Sequence, residues 1–225
     1  MNIRGLFVTA TDTGVGKTEV ACAIVRAARA AGLDVGAMKP AQSGHARGEP
    51  SDAERLGEAA GGADPMDLVC PYTFAAPLAP AVAARLEGVE VSLPRILAAA
   101  RALAARHAAL VVEGAGGLLT PLSERETYAD LARALALPVL VVARAGLGTV
   151  NHTALTVEAL RARGLEVAGV VLNRLSPEGD PSEPYNAAAI ERQSGARVLA
   201  SLPFVADPVE RARSLADAIL VHVKF

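Results

Sequence analysis

Rings are scarce in this chain: aromatic residues account for 3% of its 225 positions, while hydrophobic residues reach 52%. A core with so few rings has to be packed from Val, Leu, Ile and Ala, a composition that suits a parallel sheet covered by helices. Cysteine is nearly absent as well. Cys22 and Cys70 stand far apart, with no CxxC and no paired His spacing, which excludes a cysteine metal site and favours a reduced, cytoplasmic protein. Neither sign of charge dominates, with 22 Lys and Arg against 24 Asp and Glu. Without a basic block to release counterions from a duplex, nucleic acid is excluded as a partner. Long hydrophobic runs are missing too. The longest, LALPVLVVA at 135–143, is about half of what a spanning helix needs, so no membrane segment is expected. Nothing before residue 6 has the charged and apolar regions of a signal peptide, and none is expected.

What the chain does have is a regular alternation. Apolar, β-rich runs at 6–10, 35–40, 109–114, 138–144, 167–174 and 197–203 are separated by helical patterns beginning near Thr18, Asp52, Leu93, Glu126, Asn151, Glu183 and Pro208. Short β-branched runs separated by helices predict parallel strands joined by right-handed crossovers. Two stretches interrupt the rhythm: AQSGHARGEPS at 41–51, which reads as a loop, and a region marked by prolines at 65, 71, 77 and 80. Neither has the length of a linker, and no internal repeat is present, so one α/β domain over 1–225 is expected. In such a sheet ligands bind beyond the carboxyl ends of the strands, which directs attention to the polar residues that follow each apolar run.

The first of these is ATDTGVGKT at 10–18. A strand, a tight loop ending Gly-Lys-Thr and a helix form the context of a phosphate-binding loop. Backbone N–H groups of Gly14, Val15, Gly16, Lys17 and Thr18 would face phosphates at a helix N-terminus. Lys17 would reach the β- and γ-phosphates and the Thr18 hydroxyl would ligate Mg²⁺. Glu113 in EGAGG leaves its strand on the same edge as a second Mg²⁺ ligand, and the glycines of Gly114-Ala115-Gly116 let backbone approach phosphate closely. Lys39 ends the second strand, where an ammonium would hold an anionic substrate or neutralise charge on a moving phosphoryl group. Asp52 reads equally as a first-turn helix acid or as part of the site. Asn151 is a suitable N-cap, and His152, without a second ligand at metal spacing, reads as an ordinary polar contact.

In order along the chain, TDTGVGKT, KPAQSG, SDAERL, PYTF, VVEGAGGLLTPLS, NHTALT and GVVLN resemble the dethiobiotin synthetase family. The resemblance implies a P-loop NTPase-like three-layer α/β/α fold with a mainly parallel sheet, usually in a homodimer. It implies ATP as co-substrate, Mg²⁺, and carboxylation with CO₂ and ring closure of 7,8-diaminopelargonic acid through a carbamate and a carbamic-phosphoric mixed anhydride. By position it places Thr13 at the substrate amines, with Lys17 and Lys39 as the other catalytic groups. Thr18, Asp52 and Glu113 would surround Mg²⁺, and Lys39 and Ser43 would meet the diamine and carbamate. Asn173 would meet the adenine with Arg174 beside it, and Pro203 and Phe204 would close over the base. Gly148, Thr149 and Asn151 match the segment that meets the substrate's carboxylate tail across the dimer interface. Two departures stand out, Ala10 where a Gly usually precedes TDT and Gly14 where some members carry Glu.

The main rival class is a nucleotide-switched ATPase of the deviant Walker A type, which carries an extra lysine near the start of the loop. Here that stretch has Asp12 and no lysine, and VERARSLADAILVHV reads as a core-packing helix, not a membrane-targeting one. A corrin-amidating ligase would need a glutaminase domain for which there is no room. A non-catalytic binding module on the same fold stays open on the residues alone, and Lys17, Thr18 and Glu113 together argue against it.

Overall fold

The computed structural model describes residues 3–44, 48–205, 207 and 210. Strands β1 (Gly5–Ala10), β2 (Val35–Met38), β5 (Ala109–Glu113), β6 (Val139–Arg144), β7 (Val167–Asn173) and β8 (Val198–Leu202) form one sheet in the order β2-β5-β1-β6-β7-β8. Every pairing in it is parallel. Helices α1 (Lys17–Ala30), α2 (Asp52–Ala59), α5 (Leu93–Ala104), α6 (Tyr128–Leu135), α7 (Thr149–Arg161) and α8 (Glu183–Ser194) connect and cover it. Successive strand residues point to opposite faces, and along β1, β2 and β5 both faces are buried. Leu6, Val8 and Val111 pack with Val20, Ile24 and Leu56 of α1 and α2, whereas Phe7, Leu110 and Val112 pack with Ile96, Leu131 and Leu160 of α5, α6 and α7. Continuous burial on both faces is why these strands read as unbroken apolar runs.

The two irregular stretches of the sequence are not structureless. Ala41–Ser43 (β3) pairs in parallel with Tyr72–Phe74 (β4), and two short helices, α3 (Met66–Val69) and α4 (Pro80–Leu86), complete the segment. Strands of three residues and a helix of four carry too little periodicity to be read, and β3 exists only through a partner distant in sequence. Helix starts shift slightly. Helix α2 begins at Asp52, as expected, with Ser51 as its cap: Glu54 N donates to Ser51 Oγ at 3.2 Å and Ser51 N to Glu54 Oε2 at 2.7 Å. Helix α6 starts two residues later than expected, where Thr127 N donates to Asp130 Oδ2. Asn151 is not an N-cap: α7 begins at Thr149 on Gly148, whose φ of 89° suits glycine, and Asn151 falls inside the first turn. The helix expected from Pro208 lies outside the described residues.

At the edge where the strands begin, His107 clamps two segments. Its Nδ1 lies 2.8 Å from Asp34 Oδ1 and its Nε2 2.7 Å from Asp64 Oδ2, while Arg106 Nε reaches Asp64 Oδ1 at 2.7 Å. The ring lies so close to Gly36 that a Cβ there would come within 2.4 Å of it. Burial by itself would lower the imidazole pKa, but the hydrogen bonds and charges of Asp34 and Asp64 outweigh it and hold it above the ordinary 6.5. The hydrogen bond from His107 in turn holds Asp34 below its usual 3.8. The histidine contribution to stability is therefore full below pH 6.5 and fades as pH rises through the raised folded value, while the Asp34 contribution is present above pH 3.8 and is lost as pH falls through its lowered folded value. His107→Gln is expected to lower Tm by about 2–4 °C near pH 6 and by clearly less near pH 9. Thermal denaturation at the two pH values measures the difference, and an equal loss at both would show that the charge on His107 contributes nothing.

Candidate active site

Because all six main strands run in parallel, their last residues meet along one edge. Thr11 N donates to Val142 O at 3.0 Å as the chain leaves β1, and the loop then closes onto α1. Gly14 and Gly16 adopt φ of 75° and 85°, the left-handed region that favours glycine, and Gly16 caps α1. At Gly16 a side chain is excluded twice, since an added Cβ would also lie 2.1 Å from Asn173 Nδ2. That amide donates to Val15 O at 3.0 Å, so the end of β7 holds the loop from below. Ala10 needs no glycine: it is a buried β1 residue outside the positive-φ region. At Gly14, by contrast, the left-handed backbone suits the glycine, and space for a side chain is open.

Around the loop the structure assembles an ion cluster. Lys39 Nζ lies 2.5 Å from Glu113 Oε1 and 3.0 Å from Asp52 Oδ2, and Thr18 Oγ1 donates to Glu113 Oε1 at 2.8 Å. Lys39 is 2% exposed and Glu113 fully buried. Burial alone would depress the Lys39 ammonium, yet Glu113 and then Asp52 outweigh it and raise its pKa. Asp52 shows the converse: burial would raise it, but Lys39 and Thr18 hold it below the usual carboxylate range. For Lys17 the compensation is incomplete. Burial, aided by the nearby Lys39 charge, outweighs the attraction of Glu113 and Asp52 and leaves its pKa lowered.

Glu113 Oε2 is buried and has no hydrogen-bond partner among the described residues. An orphaned carboxylate oxygen beside a threonine hydroxyl and a second carboxylate is an all-oxygen donor set, which fits a hard cation such as Mg²⁺.

A cleft of ≈ 730 Å³ brings together Thr13, Gly14, Gly16, Lys17, Thr18, Lys39, Ser43, Asp52, Ala115 and Gly116. Other expected residues lie elsewhere. Val15 is buried beneath the loop, Gly114 packs against Tyr128, and Asn173 lies behind the loop. Arg174 Nε pairs with Glu183 at 2.7 Å, and Pro203 and Phe204 follow β8. Gly148, Thr149 and Asn151 do not line the cleft; Thr149 is buried with its hydroxyl 3.5 Å from that of Thr153. Ser43 donates its hydroxyl to Leu78 O at 2.6 Å, at the cleft wall. A second groove of ≈ 470 Å³, with Asp12, Leu118, Leu119 and Leu155 in its walls, meets the cleft at Thr13 and Thr120.

Sequence reasoning overlooked several contributors. Gln42 Oε1 accepts Ala53 N at 3.1 Å and anchors the start of α2, Arg55 of α2 pairs with Glu19 of α1, and Pro77 to Pro80 form a wall. Gln42 stands beside the quoted Ser43, and Arg55 lies within SDAERL, but only the tertiary contacts reveal what they do.

Loop, sheet and ion cluster define a P-loop nucleotide-binding protein of α/β class. The chain belongs to the family described as an AAA domain, whose family model matches residues 4–212, and within it to the ATP-dependent dethiobiotin synthetases. It is 71% identical to the ATP-dependent dethiobiotin synthetase BioD of Anaeromyxobacter dehalogenans, over 99% of this chain and 100% of that protein. Against the protein of the same name from Bacillus cereus it is 43% identical, over 96% of this chain and 90% of the other. Among solved structures it is similar to a ParA family ATPase from Chlorobium tepidum, with TM-score 0.57, 13% identity and coverage of 98% and 93%. The MinC:MinD cell division protein complex of Aquifex aeolicus gives TM-score 0.62, 13% identity and coverage of 99% and 97%. At that identity the likeness is one of fold, and the sequence relatives favour the synthetase over the switch ATPase.

Gly16→Ala is expected to weaken MgATP binding by more than about tenfold, since it adds both backbone strain and a clash with Asn173. Calorimetric titration measures this, and unchanged affinity would contradict it. Lys39→Ala leaves Glu113 buried without its ammonium and is expected to cost roughly 3 kcal/mol of stability in metal-free protein. Added Mg²⁺ should recover part of the loss of Tm, and an unaltered Tm would show that the pair carries no such weight.

Proposed function

We infer that the cleft carboxylates and cyclises 7,8-diaminopelargonic acid to dethiobiotin, at the expense of ATP, in biotin synthesis. The observation that carries the assignment of roles is the buried Lys39 ammonium, held between Asp52 and Glu113 and facing the same cleft as Lys17 and Thr13. One amine of the substrate adds to CO₂, loses a proton and becomes a carbamate. A carbamate oxygen attacks the γ-phosphorus of ATP, ADP departs, and a carbamic-phosphoric mixed anhydride remains. The second amine attacks its carbonyl carbon, phosphate leaves, and the five-membered ring closes.

The chain's task is alignment and electrostatic support more than covalent chemistry. The amides of Gly14 to Thr18 and the Lys17 ammonium receive the phosphates. Lys39, whose pKa is raised by its carboxylates, stays protonated, so it acts as a fixed positive charge for the carbamate and the moving phosphoryl group and not as a base. Thr13, Ser43 and the 77–80 wall hold the diamine end. Thr18, Asp52 and Glu113 would hold Mg²⁺, which supplies neutralisation of phosphate charge when bound.

The groove that meets the cleft at Thr13 has Leu118, Leu119 and Leu155 beside its threonines, which supports it as the place of an aliphatic tail. Leu147, exposed to 77%, and Leu155, exposed to 56%, offer an apolar face that a second copy would cover, which supports a homodimer. In that dimer Gly148, Thr149 and Asn151 would meet the tail carboxylate of the partner's substrate. On the nucleotide side Asn173 Nδ2 is engaged by Val15 O, which leaves its Oδ1 for the adenine amino group, with Arg174, Pro203 and Phe204 around the base. The single main sheet supports one domain. Cys22 and Cys70, both buried and free, support a reduced, cytoplasmic setting. No helix among the described residues is long and apolar enough to cross a membrane.

Phosphate release from MgATP and bicarbonate is expected to depend on the diamine, with a product that has gained one carbonyl and lost two amine hydrogens in the same reaction. Release that ignores the diamine would overturn the assignment. The attacking amine must be neutral, whereas Lys39 is raised and Asp52 lowered, so neither titrates near neutrality. The rate is therefore expected to fall below neutral pH with the ionisation of the substrate. A flat rate from about pH 8 to about pH 5.5 would contradict amine attack.

A further inference from the structure

Two residues paired in register hold the phosphate loop at two separate points. Arg144 ends β6 and Asn173 ends β7, and they are direct Cα partners. Asn173 holds Val15 O, on the half of the loop that runs into Gly16, Lys17 and Thr18. Arg144 reaches the other half: its terminal nitrogen donates to Asp12 Oδ2 at 2.8 Å, and the second oxygen of that carboxylate, Oδ1, accepts Thr13 N at 2.7 Å. Asp12 lines the groove and not the phosphate cleft, while Thr13 lines both. Arg144 and Asp12 thus bear on the groove side of the loop.

Energetics separates this contact from simple scaffolding. The side chains of Arg144 and Asp12 are 38% and 51% exposed, and an ion pair so open to solvent contributes little to stability. Arg144 Nε is buried without a hydrogen-bond partner among the described residues, so the described contacts of the guanidinium centre on Asp12. A carboxylate held at one oxygen by a guanidinium presents the other in a fixed direction, and here that direction fixes the backbone of Thr13.

We propose that Arg144 is a positioning residue for the diamine: through Asp12 it sets the backbone of Thr13, and with it the hydroxyl that meets the substrate amine. The proposal rests on the reading of Thr13 given above and adds to it a residue on a neighbouring strand. Arg144→Met is expected to raise KM for the diamine by about three- to fivefold, while MgATP affinity stays within about twofold and Tm is nearly unchanged. Arg144→Lys, which can still pair with Asp12, restores part of the loss. Thr13→Val also raises the diamine KM, and adding Arg144→Met to it produces no further rise, because both act through one hydroxyl. A higher KM in Thr13→Val with a normal one in Arg144→Met would reject Arg144 and leave the reading of Thr13 standing. A normal KM in both would reject the two together. A parallel loss of ATP and diamine affinity in Arg144→Met, or an undiminished effect in the Thr13→Val background, would show that Arg144 acts elsewhere.

Discussion

A lysine ammonium buried against a fully buried glutamate is the contact on which the site is organised. Taking either charge out of water alone would be prohibitive. The pairing of β2 with β5 supplies the solution, since Met38 is the partner of Val112 and the next residues, Lys39 and Glu113, emerge side by side. Asp52 completes the neutralisation from the first turn of α2, which is placed by the Ser51 cap and by Gln42. Thr18 then attaches the phosphate loop to the same carboxylate. Four elements therefore converge on one small group of charges, and none of them could move far without exposing an unpaired ion.

Within that frame the loop is shaped by contacts on opposite sides. Two glycines turn the backbone through left-handed conformations so that amides face outward, and the ends of β6 and β7 hold what lies behind. The division leaves the phosphate cleft on one side of the loop and the groove on the other. The same fold is shared with a ParA family ATPase and the MinC:MinD complex at 13% identity. A shared sheet and loop leave the chemistry open, and the side chains around the loop decide it.

Much of this was legible in the residues. Unbroken apolar runs followed by polar signatures located the six parallel strands and the edge at which they end, because strands buried on both faces leave no other pattern. The loop was readable from its glycines, lysine and threonine, whose spacing is itself the local geometry. Lys39, Glu113 and Asp52 could be singled out by their places after strands or at a helix start, although a single aspartate in a first turn has an ordinary capping explanation until its neighbours are known.

Sequence by itself determined the class of fold, the phosphate loop and the family, since these rest on local periodicity and on motifs contiguous in the chain. Only the tertiary structure decided that Lys39 bridges Asp52 and Glu113, that β3 and β4 form a small second sheet, that Asn173 and Arg144 hold the loop, and that α7 starts on Gly148 in place of Asn151. Each of these depends on contacts between segments far apart in the chain or on a backbone angle, and strand order and register, which no single stretch encodes, bring those segments together.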